Sequence, residues 1–134
     1  MKGLIMAEVL EFRNPRIERG HQAYLRGLSA EDCALRHYRD RGARFEAARW
    51  RGAGAEIDLV LREGARLVFV EVKAGKTFDH AAQRVNWAQL HRIMRAAEVY
   101  AGQHGGAFVE MRIDVALVDG QGAVQILENV SMAA

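Results

Sequence analysis

The stretch EIDLVLREGARLVFVEVKAG, Glu56 to Gly75, constrains the fold more than any other part of the chain. Its two halves, EIDLVL (Glu56–Leu61) and LVFVEVK (Leu67–Lys73), are dense in Val, Ile, Leu and Phe. They read as two strands around a short turn at Glu63-Gly64. The second strand is apolar enough for a deep core, yet it carries Glu71 and Lys73 in its last three positions. An unpaired charge is costly to bury and is normally excluded from such a strand. Either the strand end reaches solvent and the two residues form an ordinary surface pair, or the charges have a partner.

Strand geometry sharpens the choice. Residues two apart share a face, so Glu56 and Asp58 point together, as do Glu71 and Lys73. A two-residue loop at Glu63-Gly64 sets Asp58 opposite Phe69; a four-residue loop sets Asp58 directly opposite Glu71. Both registers gather Glu56, Asp58, Glu71 and Lys73 on one face, whereas a one-residue slip separates them. Like charges so placed repel, and Lys73 offsets only one of three carboxylates. A divalent cation would neutralise the remainder, and carboxylate oxygens favour magnesium, manganese or calcium. Held by Asp58 and Glu71, such an ion could bind a phosphate oxygen and acidify a water, with Lys73 orienting that water. Those roles describe metal-dependent phosphodiester hydrolysis.

The rest of the chain reads as one compact domain around this hairpin. Ser29 is placed as an N-cap, with Asp32 in a capping-box position, for a helix over Ala30 to Arg41 that ends at Gly42. Strands are expected at Arg44–Trp50, Glu110–Val118 and Ala123–Leu127, and the apolar spacing predicts a long helix over Trp87–Gly102. The order is helix, three strands, helix, two strands, an α/β domain. Residues 1–28 form an N-terminal extension, partly helical or irregular, with Asn14-Pro15 as a helix start weakened by Gly20 and Gly27; residues 29–134 form the domain.

Charge is unevenly placed. Residues 1–54 hold 11 Lys/Arg against 7 Asp/Glu, and RHYRDRGARFEAARWR packs six arginines into 16 residues. The planar arginine fork suits phosphate, although a solvated basic surface is the plainer reading. Cys33 is the only cysteine, which excludes an intrachain disulfide and fits a reducing, cytoplasmic home. MKGLIMAEVLEF does not read as a signal peptide, because Glu8 and Glu11 interrupt its short apolar run, and no segment approaches the roughly 20 apolar residues of a membrane span. The histidines (21, 37, 80, 91 and 104) show no paired metal spacing, and Trp50 and Trp87 read as core more readily than as base-stacking residues. For Asp114, a salt bridge with Arg112 is expected in preference to a place near the site.

The motifs GAEIDLVL and LVFVEVK, with the helix AEDCALRHYRDRG, RWR before the hairpin, RAAEVY and RIDVALV, resemble the YraN-like family of small bacterial proteins. That family is similar to archaeal Holliday-junction resolvases within the PD-(D/E)xK, or restriction-endonuclease-like, nucleases. The resemblance runs from about Ser29 to Val130 and implies a mixed sheet flanked by helices, in the order αβββαβ. It implies a Mg2+ or Mn2+ site with Glu31, Asp58, Glu71 and the Val72 carbonyl as ligands, and Lys73 as the catalytic lysine beside Asp58 and Glu71. Glu56 would be a further ligand or would hold Arg51, and Arg49 and Arg51 would contact DNA phosphates. Branched DNA is expected by analogy with the resolvases, and symmetric resolution would call for a homodimer. Ala55, Gly75 and Gln89 depart from the usual glycine, basic residue and lysine, so a nucleic-acid-binding module without cleavage, or a protein-interaction domain, stays open.

Overall fold

The computed structural model describes residues 28–106 and 108–130; the expected helix start at Asn14-Pro15 and the rest of the extension before Leu28 lie outside them. Helix α1 (Ala30–Asp40) begins where Ser29 accepts a hydrogen bond from the Asp32 N–H at 3.0 Å, the cap expected from the sequence. Three strands follow, β1 (Arg44–Gly52), β2 (Ala55–Glu63) and β3 (Arg66–Ala74). Then come a short helix α2 (Phe78–Ala82), the long helix α3 (Trp87–His104), and strands β4 (Met111–Val118) and β5 (Val124–Leu127).

The five strands lie in chain order in one sheet. The β3–β4 pair is parallel and the other neighbours are antiparallel. A parallel pair needs a crossover, and α2 and α3 supply it. Leu67, Val68, Phe69 and Val70 of β3 are all 0% exposed, because the sheet is covered on both faces. Leu67 and Phe69 pack with Ile93, Ala97 and Tyr100 of α3, while Val68 and Val70 pack with Ala34 and Tyr38 of α1. The unbroken apolar run is thus the signature of a central strand. The result is the mixed α/β sheet flanked by helices of a restriction-endonuclease-like domain, with αβββαβ order plus β5.

Two details differ from expectation. The hairpin turn is Gly64-Ala65, closed by Glu63 opposite Arg66, one residue later than Glu63-Gly64. Gly64 has φ 59°, the sign a two-residue hairpin requires at its first central position. The other is α2, whose first turn is capped by Thr77 accepting from the His80 N–H. Five residues are too few to show a helical period.

Asp114 is 0% exposed on the α1 face of β4. The Arg112 guanidinium donates to both its oxygens at 2.9 and 3.0 Å, the expected pair. The Tyr38 hydroxyl donates to it at 2.7 Å and the Asn129 N–H at 3.0 Å. One carboxylate thereby joins α1, β4 and the segment after β5, and burial beside it pushes the Tyr38 hydroxyl pKa far up. Asp114→Ala strands these donors and should cost about 3–5 kcal/mol; Tyr38→Phe should cost about 1–2 kcal/mol. Urea unfolding curves of the two variants would show it, and an unchanged midpoint for Asp114→Ala would remove Asp114 as the tie.

Candidate functional site

The paired ladder between β2 and β3 stops at Leu59 opposite Val70. One step further, the Asp58 side chain accepts the Val72 N–H at 2.8 Å, taking the place of a strand backbone carbonyl. The register, continued by one pair, sets Asp58 against Glu71, the second of the two arrangements open from the sequence. The strands separate here because a carboxylate occupies the ladder.

Glu71 is 4% exposed, so the surface-pair reading of the strand end is overturned. Its Oε2 lies 3.0 Å from Lys73 Nζ, and Lys73 is itself only 17% exposed. Lys73 also donates to Gln89 Oε1 in the first turn of α3 at 2.9 Å. The other Glu71 oxygen, Oε1, is buried and accepts no hydrogen bond, and the Asp58 carboxylate lies close enough to Glu71 to share its proton. Burial first, and then the negative charge of Asp58, push the Glu71 carboxyl pKa up to about 7 against the opposing pull of Lys73.

Glu31 and Glu56 are at the rim. Arg49 lies 3.3 Å from Glu31, and Arg51 3.1 Å from Glu56. Burial and the nearby Asp58 raise the Glu31 carboxyl pKa, with Arg49 pulling the other way. Glu56 holds Arg51, one of its two expected roles. Arg49 sits between the pairs Ala48–Leu59 and Trp50–Ile57, level with Asp58, and has the unusual φ of 50° for a residue with a side chain. Both arginines are mostly exposed.

The departures have local explanations. A Cβ on Gly75 would come within 2.6 Å of the Ala81 backbone nitrogen, so α2 packs where a basic side chain would begin. Gln89 supplies an acceptor to Lys73, where a lysine would repel it. Sequence reading counted Gln89 only as a lost cation, since nothing in the spacing announces that α3 starts beside Lys73. Trp50 packs edge-on against Tyr100, while Trp87, expected in the core, is 48% exposed.

A magnesium or manganese ion fits this donor set. Glu71 and Asp58 offer two adjoining carboxylates, and one Glu71 oxygen is buried and accepts no hydrogen bond. Among the described residues no three His, Cys, Asp or Glu side chains converge as a metal cage, which leaves Glu31 with Arg49 at the rim. A pair of carboxylates suits an ion that retains several of its own waters, as magnesium does.

Residues 30–118 match the uncharacterised protein family UPF0102. The chain is similar to a UPF0102 protein of Roseobacter denitrificans, 51% identical over 117 residues that cover 87% of this chain and 91% of the relative. It is 43% identical to one from Dinoroseobacter shibae, over 87% of this chain and 88% of that protein. A third relative, from Cereibacter sphaeroides, is 45% identical over 82% of this chain and 95% of its own. No described helix is long and apolar enough to cross a membrane.

The raised Glu71 pKa fixes the sign of a pH dependence. The folded state holds this proton up to about pH 7, whereas an unfolded glutamate releases it near its ordinary value of 4.5. The folded state binds more protons in between, so metal-free stability attributable to Glu71 should fall as pH rises from about 4.5 to 7. Urea midpoints measured across that window should show the decline in the wild type and a flatter profile in Glu71→Gln. Parallel profiles would remove Glu71 as the titrating group.

Proposed function

The chain belongs to the uncharacterised protein family UPF0102, and from its site we propose that it is a magnesium- or manganese-dependent nuclease hydrolysing phosphodiester bonds in DNA. One observation supports the reading: two carboxylates, Glu71 and Asp58, crowd together at a buried strand end with the single ammonium of Lys73 beside them. A structural ion pair gains nothing from a second carboxylate crowded against the first.

The ion would be held by Asp58, Glu71 and the Val72 carbonyl, while Glu31, which the resemblance adds to the set, is held by Arg49 at the rim. When bound, it would polarise a phosphoryl oxygen and acidify a water. The protein's own contribution is positioning. The Val72 N–H fixes one Asp58 oxygen, and the central position of β3 fixes Glu71. Lys73, held between Glu71 and Gln89, presents its ammonium where charge builds on the attacked phosphate. Arg49 and Arg51, on the exposed edge strand beside the site, would receive the flanking phosphates. Branched DNA and a homodimer belong to this proposal by analogy with the resolvases.

A second reading keeps the fold as a DNA-binding module without cleavage. It is favoured by Gln89 and Gly75, which place no positive charge where relatives of the fold would supply it. Incubation with Mn2+ and labelled branched, single- and double-stranded DNA separates the two. Cleavage is expected in the wild type, and Asp58→Asn and Lys73→Ala should each lower it by about a hundredfold or more while circular dichroism shows both variants folded at the assay temperature. Binding without cleavage would select the second reading, and retained cleavage in either variant would sink the assigned roles.

A further inference from the structure

The strand order lays the charged groups of the site in a row across one end of the sheet. Arg49 and Arg51 stand on β1, Asp58 on β2, and Glu71 and Lys73 on β3. Next in the row, where β3 and β4 run parallel, a cleft of about 370 Å3 opens at the carboxyl ends of both strands. Gly75, Lys76, Arg84, Asp119 and Gly120 line it, together with Ala30 of α1. A crevice outside the carboxyl ends of parallel strands is where open α/β sheets take their ligands.

Both cations of the cleft are exposed. Among the described residues neither meets a carboxylate, whereas Arg49 and Arg51 are engaged by Glu31 and Glu56. Lys76 is carried on a fixed backbone: its carbonyl accepts the Gly120 N–H at 3.1 Å, and Thr77 after it caps α2. A Cβ on Gly120 would come within 3.3 Å of that carbonyl oxygen, so glycine lets the β4–β5 turn close on it. The Arg84 guanidinium donates to the Ala74 carbonyl at 3.4 Å, which folds it back over the end of β3. Asp119 is the carboxylate of the cleft, and one of its oxygens already accepts the N–H groups of Gln121 and Ala123. Two cations against one engaged carboxylate leave the cleft net positive.

Resting on the nuclease reading above, we infer that this cleft is a second phosphate seat, in which Lys76 and Arg84 receive the DNA backbone on the side of the site away from Arg49 and Arg51. Lys76 follows Lys73 by three residues, a span of at most roughly 10 Å. Successive phosphates of one strand advance about 3.4 Å along the helix axis, so the seat lies within about three nucleotides of the phosphate at Lys73. Holding the strand on both sides fixes the phosphate between them, the positioning on which the reaction depends.

Anisotropy of a labelled short DNA duplex, titrated with the full chain in EDTA at several potassium chloride concentrations, tests the inference. Wild-type affinity should fall as salt rises, and Lys76→Gln/Arg84→Gln should flatten that dependence by about two in logarithmic slope. At low salt the same variant should bind up to about fivefold more weakly for each cation removed. Lys76→Arg/Arg84→Lys preserves both charges and should keep the wild-type slope. Arg41→Gln/Arg44→Gln removes as much charge at the opposite end of the sheet, where Arg44 lies against Arg62, and should leave the slope as it is. An unchanged slope in Lys76→Gln/Arg84→Gln, folded by circular dichroism, or equal flattening in the Arg41/Arg44 variant, would overturn the seat. Mn2+-dependent cleavage by wild type would leave the nuclease reading standing in either case. A flattened slope without any such cleavage would keep the seat and remove the nuclease reading, and no binding by wild type at low salt would overturn the seat.

Discussion

The site depends on a carboxylate placed where a strand is covered on both faces. Glu71 follows four residues of β3 that solvent does not reach, and Asp58 adds a second negative group next to it. One ammonium cannot neutralise both, and the local structure follows from that imbalance. The β2–β3 ladder ends early so that Asp58 can take a backbone donor. Lys73 is drawn back over the strand towards Glu71, and α3 begins where Gln89 can accept from it. The hydrophobic sandwich sets the positions, and the unbalanced charge sets the local contacts.

The two buried carboxylates of this sheet make an informative contrast. Asp114 and Glu71 both interrupt apolar strands, and the register sets them on opposite faces of the β3–β4 pair. Asp114 has donors on both oxygens, from a guanidinium, a phenol and a backbone amide. Glu71 has an ammonium on one oxygen and, for its remaining neighbour, the like charge of Asp58. Full satisfaction is what a buried charge needs in order to tie elements together, and partial satisfaction is costly unless something else completes it. Both are buried carboxylates, so the crowding of Glu71 by a like charge is what sets the candidate site apart from the strut.

Much of this was legible in the residues. Apolar density and turn chemistry mark each strand, and Ser29 and the spacing of Leu90, Ile93, Ala97 and Tyr100 mark the two principal helices. The common face of Asp58, Glu71 and Lys73 follows from the period of two, which survives a turn shifted by one residue because the register still pairs like faces. What was hidden depends on three-dimensional approach. Gln89 touches Lys73 only because α3 starts over the end of β3, and Gly75 is glycine because α2 packs on it. The Tyr38–Asp114 bond spans 76 residues, and no local pattern encodes such a meeting.

The outer strand β1 has one further consequence. Its ladder slips at Glu46, its backbone turns left-handed at Arg49, and charged side chains recur along it. The opposite border, β5, is four residues long. Flat, apolar borders are templates on which foreign strands add, and bulges, charge and shortness are what blunt them. The features that bring Arg49 to the rim of the site therefore also guard the sheet against growing by edge-on recruitment. Straightening β1 to improve its pairing would put colloidal behaviour at risk.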